Sequence, residues 1–438
     1  MIVSALATSR LEAAPIPFPE AVSLALEAGP SLALARARLA QTEARRGIAS
    51  SELYPTVGLS FSGRWDGSTA SPVRDSSGVT HPFQNAVSYQ LSGSASERIF
   101  DFGRRAGRIQ AAAHDVESAK LDRQTAALEI EAAVFAAYTE LLASEAASKV
   151  AGRVLAEIEA QLRHARALRA LDLRSEIDVL SAEARLKLAE LRRTESESAR
   201  AQSTLQLAIA MGGKGPDAIE AEDWLLDPLE LEDQAPLSLV AEAFTSRAEL
   251  ARAEAQLAAR RAILESIRAE SFPTVDVGLG TSLLGNDAAV GPYFALFGAL
   301  SVSHNLFAGF STTYGVANAE ADVAASLEEV AQTRLAIRAE VEGAKLDVEE
   351  LAAKLALATS AKTSAEQLAR LARIRYETRL GSYIEVGNAI DALEGALARE
   401  LDVRYGLSKA RGRLLRAMGR RIVGRAGRPT PANPAESP

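Results

Sequence analysis

The sequence predicts a mostly α-helical chain with a small β part, in which long helical hairpins are joined to four short strands. Three observations predict this class. The chain repeats itself once over nearly its whole length. Two stretches, from Phe83 to Gly215 and from Tyr293 to Arg428, contain no proline and so admit unbroken helices. Four short segments alternate apolar and polar residues, as strands with one apolar face do.

The repeat is read directly. Glu52-Leu53-Tyr54-Pro55-Thr56-Val57 is matched by Glu270-Ser271-Phe272-Pro273-Thr274-Val275, an offset of 218 residues from Pro55 to Pro273. Ile99-Phe100 then matches Leu306-Phe307 at an offset of 207, and this offset holds onward. Leu173, Ser175, Ile177 and Val179 match Leu380, Ser382, Ile384 and Val386, and Met211-Gly212 matches Met418-Gly419. The second strand loop is therefore eleven residues shorter than the first. Five segments follow: an N-terminal segment (1–19, a signal remnant or an extended arm), a first repeat (20–212), a linker (213–236), a second repeat (237–419) and a tail (420–438). Each repeat reads as helix, two strands, long helix, helix. The linker is rich in proline and acids, and the tail is first basic and then proline-rich, which predicts disorder.

In the first repeat, residues 104–168 read as one helix of about 65 residues, about 100 Å long at 1.5 Å per residue. It breaks at Leu171-Asp172-Leu173-Arg174-Ser175. A second helix over 176–211 is closed by Gly212-Gly213, the residue type favoured just past a helix end. The second repeat breaks at Leu380-Gly381-Ser382. Single helices are expected over 20–53 and 237–271. Stacked end to end, each of these and the later short helix would match the long helix in height.

The strands are Val57, Leu59 and Phe61 with their polar alternates; Val87, Tyr89 and Leu91; Val275, Val277 and Leu279; and the less regular set Phe294, Leu296, Leu300 and Val302. Such alternation suits a wall with lipid on one side and water on the other. Four strands cannot close around a pore, and an open edge is not tolerated in lipid. A membrane reading thus requires an oligomer, and three chains supply twelve strands.

Composition excludes other classes. A net charge of −8 lacks the basic face that nucleic acid requires. With no cysteine, there is no disulfide, thiolate metal site or lipidated cysteine in this sequence. No run of eighteen apolar residues predicts a membrane-spanning helix. Residues 1–14 have a short apolar stretch without a basic start, so they are not a complete signal peptide. Export would depend on a signal upstream of Met1.

The run Arg98-Ile99-Phe100-Asp101-Phe102-Gly103-Arg104-Arg105 resembles the strand-to-helix junction of the TolC-like outer-membrane efflux family. Arg375-Tyr376, followed by Leu380-Gly381-Ser382-Tyr383-Ile384-Glu385-Val386, resembles that family's second hairpin tip. The resemblance spans about residues 20–419. It implies a homotrimer with a shared 12-stranded transmembrane β-barrel in the outer membrane. A trimeric α-barrel would project into the periplasm. It implies a passive exit duct of a tripartite efflux or type I secretion system, with no enzymatic step and no cofactor. The partners would be a periplasmic adaptor, an inner-membrane transporter reached through that adaptor, and outer-membrane lipid.

The resemblance also assigns sites. Glu385 takes the place of the family's constricting aspartate, and Asp178 is its equivalent in the first repeat; threefold symmetry would make each a ring of carboxylates. The competing reading is that both acids merely favour a helix N-terminus. Asn388 stands where the family often has a second acid. Tyr376 matches a tyrosine that locks the closed tip, with Asp178 as its acceptor. The lock's basic partner would fall at Gly381, leaving Arg174 or Arg379 to substitute. Leu173, Arg174 and Ser175, with Leu380, Gly381 and Ser382, are expected to dock the adaptor, against the plainer reading of ordinary hairpin turns. Pro55, Gly103, Pro273 and Gly309 mark the passages between strands and helices.

The alternative function is a soluble helical coiled-coil scaffold without channel activity. The four histidines (His81, His114, His164 and His304) are far apart in sequence and predict no metal site. Gly278-Leu279-Gly280 is not followed by the helix a nucleotide loop needs, so it reads as small residues in a strand. Trp65 and Tyr293 read either as membrane-interface anchors or as packing residues.

Overall fold

The computed structural model describes residues 15–68, 73–74, 77, 80–81, 84–173, 175–213, 219–286 and 293–424. The readings of a signal remnant before residue 15 and of the tail beyond residue 424 lie outside the described residues, as does Arg174.

The first repeat contains α1 (Phe18–Ala28), α2 (Pro30–Ser51), β1 (Thr56–Ser68), β2 (Val73–Arg74), β3 (Thr80–His81), β4 (Gln84–Phe100), α3 (Arg104–Ala170) and α4 (Glu176–Ala210). The second contains α5 (Pro236–Ser246), α6 (Ala248–Arg268), β5 (Thr274–Asn286), β6 (Tyr293–Ser303), α7 (Ser311–Glu377) and α8 (Tyr383–Ala417). The repeat is visible in the lengths: α3 and α7 have 67 residues each, and α4 and α8 have 35 each.

Two expectations are corrected. The helices expected over 20–53 and 237–271 are each broken. α1 ends at Gly29, whose N–H reaches the Ala25 carbonyl at 2.8 Å, and α2 starts on Pro30, where a missing N–H costs nothing. At the equivalent repeat position, Arg247 separates α5 from α6. The first strand loop also carries the small β2–β3 hairpin, which the alternation pattern did not reveal.

The chain forms two compact units, each drawing on both repeats. One unit (Arg38–Lys120 and Ala251–Ala331) holds an antiparallel sheet of order β1-β4-β5-β6. Opposed residues share a face, so the register defines two walls. One carries Val57, Leu59, Phe61 and Trp65 with Leu91, Leu279, Leu283, Leu296, Leu300 and Val302. The other carries Thr56, Ser60 and Ser62 with Ser92, Ser96, Asp276 and Ser282. Hydroxyls pair across the polar wall, Thr56 with Ser96 and Ser60 with Ser92, both at 2.9 Å. The Gly278-Leu279-Gly280 run lies in β5, and the Phe297 ring occupies the space a side chain at Gly280 would need. The apolar wall is bare in the single chain, with Val57 81% and Leu296 76% exposed. Trp65 and Tyr293 are also exposed, on β1 and at the start of β6.

The other unit (residues 15–37, 121–250 and 332–424 as described) is helical. α4 and α8 end in the same motif. Gly212 (φ 85°) and Gly419 (φ 67°) take left-handed backbone. The following N–H groups, of Gly213 and Arg420, reach back to Ala208 and Leu415. Part of the inter-repeat linker is pinned here. The Tyr138 hydroxyl lies 2.8 Å from the Ile16 carbonyl and 2.9 Å from that of Glu222, and Ile16 forms a β-bridge with Ala221. Burial pushes the Tyr138 phenol above its ordinary range, which keeps it a donor. No described helix is long and apolar enough to cross a membrane.

Candidate functional site

The two hairpin tips are built alike. α3 ends with Asp172 in left-handed backbone (φ 54°), the Asp172 N–H on the Arg169 carbonyl and the Leu173 N–H on that of Leu168. α7 ends with Arg379 (φ 63°), its N–H on the Tyr376 carbonyl and the Leu380 N–H on that of Arg375. This conformation suits glycine and costs another residue about 1–2 kcal/mol. Serine then starts each next helix: Ser175 Oγ accepts the Ile177 N–H and Ser382 Oγ accepts the Glu385 N–H, both at 3.2 Å. Leu173, Ser175, Arg379, Leu380 and Ser382 are exposed.

Asp178 and Glu385 therefore occupy the third residue of α4 and α8. Asp178 is half-buried and Glu385 is exposed, as is Asn388 one turn on. Arg375 lies 3.5 Å from the Glu385 carboxylate. Gly381 is wedged between them: a side chain there would meet Glu385 at 3.0 Å and Arg375 at 3.1 Å. That crowding is a physical reason for glycine, rather than a base, at this position.

Tyr376 is buried and packs edge-on against Tyr383, with ring centres 5.9 Å apart, and against His164 at 6.2 Å. Tyr383 is 1% exposed. Burial pushes its phenol up, the Arg185 charge opposes this, and Tyr376, Asp178 and Asp391 add to the rise. Alanines fill the tip core between the larger side chains, at Ala182, Ala189, Ala369, Ala372 and Ala389. Ion pairs link one hairpin to the other. Arg185 meets Asp391 at 2.7 Å, Arg192 pairs with Glu394, and Arg373 meets Glu157 at 2.5 Å.

The junction residues lie where strand gives way to helix. Pro55 and Pro273 directly precede β1 and β5. Between β4 and α3, Phe102 (φ 55°) and Gly103 (φ 95°) are both left-handed; between β6 and α7, Gly309 (φ 62°) and Phe310 (φ 64°) are. The conformation repeats at an offset of 207 while Phe and Gly exchange places. Asp101 caps α3, accepting the N–H groups of Gly103 (3.2 Å) and Arg105 (3.1 Å) and the Arg105 Nε at 2.8 Å. Burial pushes the Asp101 carboxyl up, but the Arg105 hydrogen bonds and charge outweigh it and hold it below its ordinary value.

Compared with known proteins, residues 21–213 and 239–420 match the family model described as outer membrane efflux protein. The chain belongs to the outer membrane efflux protein family. It is 30% identical over 335 residues to protein CyaE of Bordetella pertussis, covering 75% of this chain and 68% of that protein. The fold is similar to the outer-membrane channel OprN (TM-score 0.79, 21% identity, 92% of this chain and 89% of that one). It is also similar to the outer membrane protein VceC of Vibrio cholerae (TM-score 0.79, 19% identity, 92% and 96%). The family is thus that of outer membrane efflux proteins, the fold is one shared with solved outer-membrane channels, and the scaffold alternative is not favoured.

In this outer-membrane efflux protein, Arg185 and Gly387 join the tip without having been expected there, and Tyr383 stands in the expected tip run without an expected role. Tyr383 had a signal, since it adjoins the tip serine and is one of eight tyrosines. Arg185 had none, because its partner Asp391 is 206 residues away.

Proposed function

We propose that three copies of the chain form the exit duct of a tripartite efflux or type I secretion system. The sheet carries this reading. Its apolar wall is exposed, and its edge strands β1 and β6 run in opposite directions. Identical copies joined β6 to β1 around a threefold axis continue the antiparallel order into a closed 12-stranded barrel. The apolar wall then faces outer-membrane lipid and the serine-rich wall faces water. The helices form an α-barrel in the periplasm.

The tips Leu173, Arg174, Ser175, Leu380, Gly381 and Ser382 dock a periplasmic adaptor, which connects the duct to an inner-membrane transporter. Leu173, Ser175, Leu380 and Ser382 are exposed on turns between rigid helices, which suits that role, whereas Gly381 is buried and shapes the turn. Asp178 and Glu385 form carboxylate rings at the tip, and Tyr376, with Asp178 as its acceptor and Arg174 or Arg379 as the basic partner, locks the closed state. The duct performs no reaction. Like charges in a narrow opening admit cations and repel anions. Replacing Asp178→Asn together with Glu385→Gln is expected to lower cation selectivity and weaken divalent-cation block roughly tenfold in planar-bilayer recordings. Unchanged selectivity would mean that the two acids serve only the helix N-termini.

A further inference from the structure

We infer that Arg185, seated over Gly387 and paired with Asp391, is the tether that holds the first hairpin to the second when the duct is closed. This rests on the reading of the tips as the gate and names a residue that sets its resting state. Arg185 lies on α4; Gly387 and Asp391 lie one turn apart on α8, so one side chain from the first hairpin grips two successive turns of the second.

The seat is specific. A side chain added at Gly387 would lie 2.2 Å from the guanidinium carbon of Arg185 and 2.3 Å from one of its terminal nitrogens. The guanidinium therefore occupies the space that any residue other than glycine would fill. Glycine in a helix interior is unfavourable, and at this position it makes room for Arg185. The Arg185 side chain is 23% exposed while pairing with Asp391 at 2.7 Å. Tyr383, the ring on which Tyr376 packs, lies one turn before Gly387 on α8. Farther along the same two helices, Arg192 and Glu394 form a second rung. Gly387 is two residues from Glu385, so separating α4 from α8 here moves the acid proposed to line the opening. Arg185 is a positioning residue and need touch no cargo.

Gly387→Ala is the clean probe. It leaves every charge in place, favours helix, and expels only the flexible end of Arg185. The test is single-channel recording of the full chain, exported with a secretion signal and reconstituted in planar bilayers. Arg185→Gln, Asp391→Asn and Gly387→Ala are each expected to raise open probability roughly fivefold. The Arg185→Gln/Asp391→Asn double variant should open no more than either single one, because both remove the same contact. Arg169→Gln serves as control, since its pair with Asp172 lies within one hairpin tip, and it should leave the openings unchanged. Parent-like openings in Gly387→Ala and Arg185→Gln, with altered ones in Glu385→Gln, would overturn the tether while the gate reading stands. An equal rise in Arg169→Gln would overturn it too, by showing a general charge effect. A parent chain that forms no pore would overturn both readings.

Discussion

Replacing Asp101 by alanine lowers stability by about 3–5 kcal/mol, the usual cost of breaking a buried ion pair from one side. The carboxylate serves three donors at once: two N–H groups that open α3 and the Nε of Arg105. Arg105 cannot escape to water, since its side chain is 10% exposed and its Nη1 is also held by the Glu52 carbonyl. Glu97, 3.8 Å from Arg105, compensates in part and places the loss toward the lower end of that range. Asp101→Asn, which keeps an acceptor for the cap but loses the charge, should cost about half as much. The folded carboxyl is held below its ordinary value near 3.8. Its contribution is therefore complete above that value and is lost as pH falls through the lower folded one. Denaturant unfolding of the detergent-solubilised protein should show the wild-type advantage over Asp101→Ala shrinking below about pH 4. A constant difference down to pH 2 would contradict the assignment.

Phe18→Ala should cost a similar amount, about 3–5 kcal/mol. Phe18 is fully buried, stacked on Trp224 at 4.4 Å and set edge-on to Phe135 at 5.5 Å and Tyr138 at 5.7 Å. Its loss opens a cavity where α1, α3 and the inter-repeat linker meet. Because the linker has little regular structure around Trp224, the effect should appear first as local opening. Limited proteolysis should cut the variant near residues 219–229 before any other described segment. A melting temperature and cleavage pattern equal to wild type would show that the cluster does not hold the linker.

The long helices were legible because their limits are chemically marked. Proline is absent within them, serine starts α4 and α8, and Met-Gly closes both. The strands were legible because one wall is apolar and the other is rich in serine. The break between α1 and α2 has a signal, Gly29-Pro30, yet its repeat partner Arg247-Ala248 carries neither residue. There the interruption comes from a buried arginine. Arg247 is 4% exposed, reaches Glu249 and Glu340, and donates to the Ala417 carbonyl. That is a tertiary contact which local sequence does not record. The tips show the same limit. Their positions followed from the repeat, but left-handed Asp172 and Arg379 carry no glycine to announce them, and the Arg185–Asp391 contact joins helices from different repeats. What local pattern encodes was readable, and what distant partners impose was not.

As proposed, three copies close one threefold duct with the four strands of each chain. Imaging of detergent-extracted protein, exported with a secretion signal, tests it most directly. The expected result is a threefold particle with a helical tube of roughly 100 Å, the length of 67 residues at 1.5 Å each. A water-soluble monomer or dimer without a tube would contradict it.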